Sequence, residues 1–205
     1  MLPVNIRFDF ITNSKVQHIT SLDCKHFHIN ILGCKNLTFE QVTISALEDS
    51  ANTDGIHIGR SQGINIINTR IGTGDDCISI GDGSEEVRIT GVACGPGPGV
   101  ACGPCHGISI GSLGKYENEE PVNYSRFPYL VSTKVKISNV GFKNIKGTST
   151  TPVAVELYCS SGIPCENVEL CNIDLTYSGK EGPAKLVLTN VKPKITGILN
   201  PKVGN

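Results

Sequence analysis

The chain has no tryptophan and one methionine in 205 residues, and it has little charge. Together with 23 glycines and 11 prolines, these scarcities point away from helices and towards many turns and short strands. Charged side chains make up 18% of the residues and nearly cancel, leaving a formal net charge of −1. That balance excludes a polybasic surface, so nucleic acid is not an expected partner. No run of about 18 uncharged apolar residues occurs, so no membrane-spanning helix is expected. No positively charged and then apolar leader follows Met1, and Met1-Leu2-Pro3-Val4-Asn5 reads like the interior of a domain. At 39% hydrophobic residues the chain is too apolar to stay disordered, and its length suits one core rather than two. A single domain over residues 1–205 is therefore expected.

Cysteine, by contrast, is plentiful. Nine cysteines in a chain of this size favour an oxidising compartment, and the odd count leaves at least one thiol without a disulfide partner within the chain. Cys159 and Cys165 bracket Ser-Ser-Gly-Ile-Pro, a turn-rich loop that a disulfide could close. Any of the nine could equally be a small buried hydrophobe. Asn36-Leu37-Thr38 and Asn123-Tyr124-Ser125 are glycosylation sequons, which agree with secretion.

Strand-like runs with alternating Ile and Val recur throughout, among them residues 36–44, 63–68, 86–90, 135–140 and 167–170. A second series opens on Asp or His and closes on Gly. Its members are Asp54-Gly55-Ile56-His57-Ile58-Gly59, Asp76-Cys77-Ile78-Ser79-Ile80-Gly81 and His106-Gly107-Ile108-Ser109-Ile110-Gly111. Asp54 and Asp76 are 22 residues apart, a period that means a solenoid, and short strands with polar turns fit a parallel β-helix. The third copy falls 30 residues on. The excess matches a tandem duplication: Gly91-Val92-Ala93-Cys94-Gly95-Pro96 recurs as Gly99-Val100-Ala101-Cys102-Gly103-Pro104. Residues 97–104 therefore read as a local insertion.

In a solenoid, equivalent positions of successive coils stack about one strand spacing apart. Asp54, Asp75, Asp76 and His106 then share one face of three coils. Crowded carboxylates repel, so at least one pKa should rise. A protonated carboxyl beside ionised ones is what glycoside hydrolysis requires. The plainer readings are ordinary Asp-Gly turns or a calcium site. An Asp one coil below and a His one coil above the Asp75-Asp76 pair favour the catalytic reading over both.

These motifs resemble a known family. Asn52-Thr53-Asp54, Gly74-Asp75-Asp76 and His106-Gly107 look like the ordered signature of family 28 glycoside hydrolases, the polygalacturonases. Thr53-Asp54-Gly55-Ile56-His57-Ile58-Gly59 and the stretch from Gly107 to Tyr116 resemble the plant branch, and the pollen-type exopolygalacturonases most. The likeness covers residues 2–122 and 133–203. It implies an all-β, right-handed parallel β-helix that hydrolyses α-1,4 bonds of polygalacturonate or pectin with inversion, without metal or other cofactor. It also implies a secreted cell-wall protein, expected to be a monomer. By that resemblance Asp75 is the general acid, Asp54 and Asp76 activate water, and His106 supports the acid or binds sugar. Asn52, Arg60 and Lys115 are candidate substrate-binding residues, each of which could also be a solvated turn residue. His18, His26, His28 and His57 sit in alternating segments and read as stacked or surface residues. No His or Cys spacing makes a zinc site.

The chain also departs from the family. After the His-Gly coil the family carries an Arg-Ile-Lys motif that grips the substrate carboxylate, and later an active-site Tyr. None of Arg7, Arg60, Arg70, Arg88 and Arg126 is followed by Ile-Lys. An internal deletion of roughly three coils is expected near residues 122–133. Cys105 stands where the family has Gly, and Cys94, Cys102 and Cys105 compete to pair with Cys77. A pectate lyase would use calcium and an arginine base, but no Arg falls in the Asp-Gly face.

Overall fold

Alternating isoleucines bury one face of a strand, and a Gly or Asn at the end lets the chain turn and start the next. The computed structural model describes residues 3–46, 53–95, 107–111, 138–149, 151–159, 161, 162, 164–177 and 179–203. Four coils of three strands each open the solenoid. They are β1 (Ile6–Asp9), β2 (Thr12–Gln17), β3 (Thr20–Leu22); β4 (Ile29–Leu32), β5 (Lys35–Glu40), β6 (Thr43–Ser45); β7 (Ile56–Gly59), β8 (Gln62–Ile67), β9 (Arg70–Gly72); and β10 (Ile78–Ile80), β11 (Arg88–Thr90), β12 (Ala93–Cys94). After β13 (Ile108–Ile110) come β14 (Gly141–Ser149), β15 (Val153–Tyr158), β16 (Glu169–Tyr177), β17 (Lys185–Thr189) and β18 (Lys194–Asn200). Every pairing among these strands is parallel, and the architecture is the expected parallel β-helix.

The register turns sequence columns into spatial ones. β1, β4, β7, β10 and β13 form one sheet in which Ile6, Ile29, Ile56, Ile78 and Ile108 stack. Phe8, Ile31, Ile58, Ile80 and Ile110 stack beside them, and both columns point inward. Ile29, Ile31, Ile56, Ile58 and Ile78 are fully buried. Each such side chain contributes about 1.5–3 kcal/mol of apolar burial. The coils are less even than a 22-residue period implies. Ile29 and Ile56 are partners across 27 residues, and Ile78 and Ile108 across 30. The 97–104 insertion and the 122–133 break lie outside the described residues.

Two columns of left-handed corners run up the solenoid. One is His18, Gln41, Asn68, Gly91, Asn144, Asn172 and Gly197, all at φ between 48° and 71°. The other is Asn13, Asn36, Gly63, Glu86, Asn139 and Asn167. Asn dominates because its side chain tolerates this backbone and bonds along the column. Asn36 Nδ2 donates to Asn13 Oδ1 at 3.1 Å, Asn167 to Asn139 at 3.0 Å and Asn172 to Asn144 at 2.9 Å. Gln41 therefore breaks the expected single strand over 36–44 into β5 and β6. Asn144 and Asn172 bend β14 and β16 without ending them. Cys159 and Cys165 form a disulfide across the predicted loop.

Candidate active site

The turn before the isoleucine sheet carries the acids. Since Ile56 pairs with Ile78, Asp54 and Asp76 hold equivalent places on adjacent coils. Main-chain bonds pass through both acidic turns: Gly55 N–H donates to the Asp76 carbonyl at 2.8 Å, and His28 N–H donates to that of Asp54 at 3.0 Å. Thr73 Oγ1 donates to the carbonyls of Asp75 and Asp76, at 3.2 and 3.4 Å, and braces the turn. Asp75 Oδ1 accepts the Asp76 N–H at 2.9 Å. Gly55 is required by space: a Cβ there would lie 2.4 Å from the Cys77 carbonyl oxygen and 2.5 Å from Ile71 Cγ2.

Asp54 is buried, whereas Asp75 and Asp76 are half-exposed. Desolvation pushes the Asp54 carboxyl up to about 6; the Ser79 hydrogen bond opposes the rise, and Asp76 and Asp75 add to it. Ser79 Oγ donates to Asp54 Oδ2 at 2.5 Å and lies 2.8 Å from His57 Nδ1. Ser109 Oγ donates to Asp76 Oδ2 in the same way. His57 stacks on Phe27 with ring centroids 4.7 Å apart and planes 10° apart. Burial, then the neighbouring His26, lowers the His57 pKa to about 4, against a smaller opposite pull from Asp82. Phe27, His57, Ser79, Ser109 and the three Asp residues all open on one cleft. Such a set can hold one proton on a carboxyl beside an ionised neighbour, which general acid–base chemistry needs.

Of the predicted site residues, the structure therefore brings together Asp54, Asp75 and Asp76. It does not bring Arg60 to them: that side chain sits beyond the far end of β7 and pairs with Asp82 at 3.0 Å. Six residues of extended chain separate it from Asp54, roughly 20 Å. His106, Asn52 and Lys115 lie outside the described residues. The described residues contain no group of three or more His, Cys, Asp or Glu placed to hold a metal. The sequence reading passed over His57, Ser79, Ser109 and Phe27. The signal for the serines was present, since Ile-Ser-Ile occurs at both 78–80 and 108–110.

Comparison with known proteins bears on the same residues. The model of the family "Glycosyl hydrolases family 28" matches residues 1–128 and 120–196. This chain belongs to that family. An exopolygalacturonase of Oenothera organensis is 45% identical over 256 aligned residues, covering 98% of this chain and 68% of that protein. A polygalacturonase of Gossypium hirsutum is 44% identical over 254, and an exopolygalacturonase of Platanus acerifolia 40% over 254. The chain spans 60% and 65% of those two. Each alignment is longer than the 205-residue chain, so these glycosyl hydrolases carry internal positions that it lacks. The crystal structure of endo-xylogalacturonan hydrolase from Aspergillus tubingensis superposes with a TM-score of 0.56 at 16% identity, over 96% of this chain and 55% of that one. At that identity the likeness concerns the fold.

Proposed function

We propose that this chain carries the hydrolytic centre of a polygalacturonase and cleaves α-1,4-galacturonosyl bonds of polygalacturonate with inversion, from chain ends. The observation that carries the reading is the trio of carboxylates on adjacent coils, with buried Asp54 held up to about 6. Asp75 donates a proton to the leaving glycosidic oxygen. Asp54 and Asp76 draw the proton from the attacking water, which an inverting enzyme places on the opposite side of the sugar. His106 supports the acid, and Asn52 and Lys115 contact substrate. The exo preference and the pectic substrate are supported by the names of the relatives. The cysteine content and the Cys159–Cys165 disulfide support a secreted protein acting on the cell wall. The protein acts as a monomer and needs no cofactor.

As a base Asp54 must be ionised, while its burial favours the proton below about pH 6. Activity is therefore expected to fall as pH drops through that value. Reducing-end release from polygalacturonate by the folded chain tests the proposal. Wild type should release ends, and Asp75→Asn should lose at least a hundredfold. Ultraviolet absorbance from unsaturated products would instead mean a lyase. A second reading, a catalytically inactive pectin-binding β-helix, is favoured by the absence of any Arg-Ile-Lys in the sequence. No release from folded wild type would select it.

A further inference from the structure

We infer that the repeated Ile-Ser-Ile strands carry a hydroxyl ladder that aims the carboxylates, with Ser79 and Ser109 as positioning residues and His57 fixing the ladder's direction. The inference rests on the reading of Asp54 and Asp76 as members of the hydrolytic centre.

The ladder follows from register. His57, Ser79 and Ser109 are mutual partners on β7, β10 and β13, one residue outward of the buried isoleucines. Each serine reaches back one coil: Ser79 to Asp54, and Ser109 to Asp76. A carboxylate therefore receives its hydroxyl from the next coil, and the strand spacing sets the geometry. A serine has one proton to give. Ser79 gives it to Asp54 Oδ2, so its oxygen can only accept from His57, and Nδ1 must carry the hydrogen. His57 is neutral above about pH 4, so it has a single N–H, and the flat stack on Phe27 holds the ring in plane. The charged and titratable groups bearing on Asp54 are Asp76, Asp75 and His26; those bearing on His57 are His26 and Asp82. Among these groups only Ser79 supplies Asp54 with a side-chain hydrogen bond that favours its ionised form. Without that hydroxyl Asp54 should keep its proton to higher pH.

The test is a ¹³C NMR titration of the Asp54 carboxyl in the folded chain, with Asp54→Asn to assign the signal. Ser79→Ala should raise the midpoint by about one pH unit, a tenfold change in acidity, while Ser79→Thr should keep the wild-type value. His57→Ala should raise the midpoint by a smaller amount, and His57→Asn, which retains an N–H donor, should restore it. A Ser79→Ala midpoint equal to wild type, or a Ser79→Thr midpoint displaced as far as that of Ser79→Ala, would overturn the ladder. Reducing-end release measured on the same samples separates the two claims. Shifted midpoints with no release from wild type would uphold the ladder and end the hydrolase reading. Release with unmoved midpoints would end the ladder alone.

Discussion

Burial makes Asp54 an unstable place for charge. Its carboxyl titrates near 6 in the folded chain and near 3.8 when unfolded, so the folded state binds the proton more tightly. Stability is therefore lost as pH rises from about 4 through about 6, and the full penalty stands above that. Asp54→Asn, which keeps an acceptor for Ser79, should stabilise the chain at pH 7 by at most about 3 kcal/mol and by nothing below pH 4. Urea denaturation at both pH values reads the difference. Gly55 acts by its missing side chain. Gly55→Ala forces a methyl group into the Cys77 carbonyl and should cost about 1–3 kcal/mol, with loss of any hydrolysis. The acids themselves were legible in the order of the motifs. The hydroxyls that hold them were not, because which coil a serine reaches depends on register.

Corners, rather than strands, distinguish the elements here. The alternating apolar runs mark where β5, β8 and β11 lie, and the Asp-to-Gly series marks β7, β10 and β13. What alternation does not show is a single left-handed residue inside a run, since one such residue leaves the hydrophobic count unchanged. Asn172 is the clearest case: φ is 53°, Nδ2 donates to Asn144, and Oδ1 accepts the Ile198 N–H at 3.1 Å. Asn172→Ala should lose both bonds and pay about 1–2 kcal/mol for the backbone alone. Asn172→Gly should lose less, and chemical denaturation of the pair separates backbone from side chain.

At the scale of the whole molecule one apolar core runs from Ile29 to Val168, with a smaller cluster of Ile145, Leu170, Ile173 and Leu186 beyond it. β14 joins the early coils to the late ones by pairing with β11, β12 and β16 at once. On the isoleucine face, β15 pairs with β17 and not with β13 among the described residues. The Cys159–Cys165 disulfide follows β15 and pins the turn that leads towards β16. Its loop is short, so the entropic gain is modest: the double substitution Cys159→Ala, Cys165→Ala should cost about 2 kcal/mol. Thermal unfolding of the variant beside reduced wild type would show the same loss in both.

The amino-acid sequence by itself determined the solenoid, the acidic motifs and the short disulfide. Each is a local pattern or a repeat, and stacking requires only that equivalent positions recur. The tertiary structure alone decided which coil is 27 or 30 residues long, which residue takes each corner, and that Arg60 faces Asp82 instead of the acids. It also decided that Ser79 serves Asp54. The reason is common to all four: each depends on what lies one coil away, at a strand spacing that the chain sets only when it closes a turn.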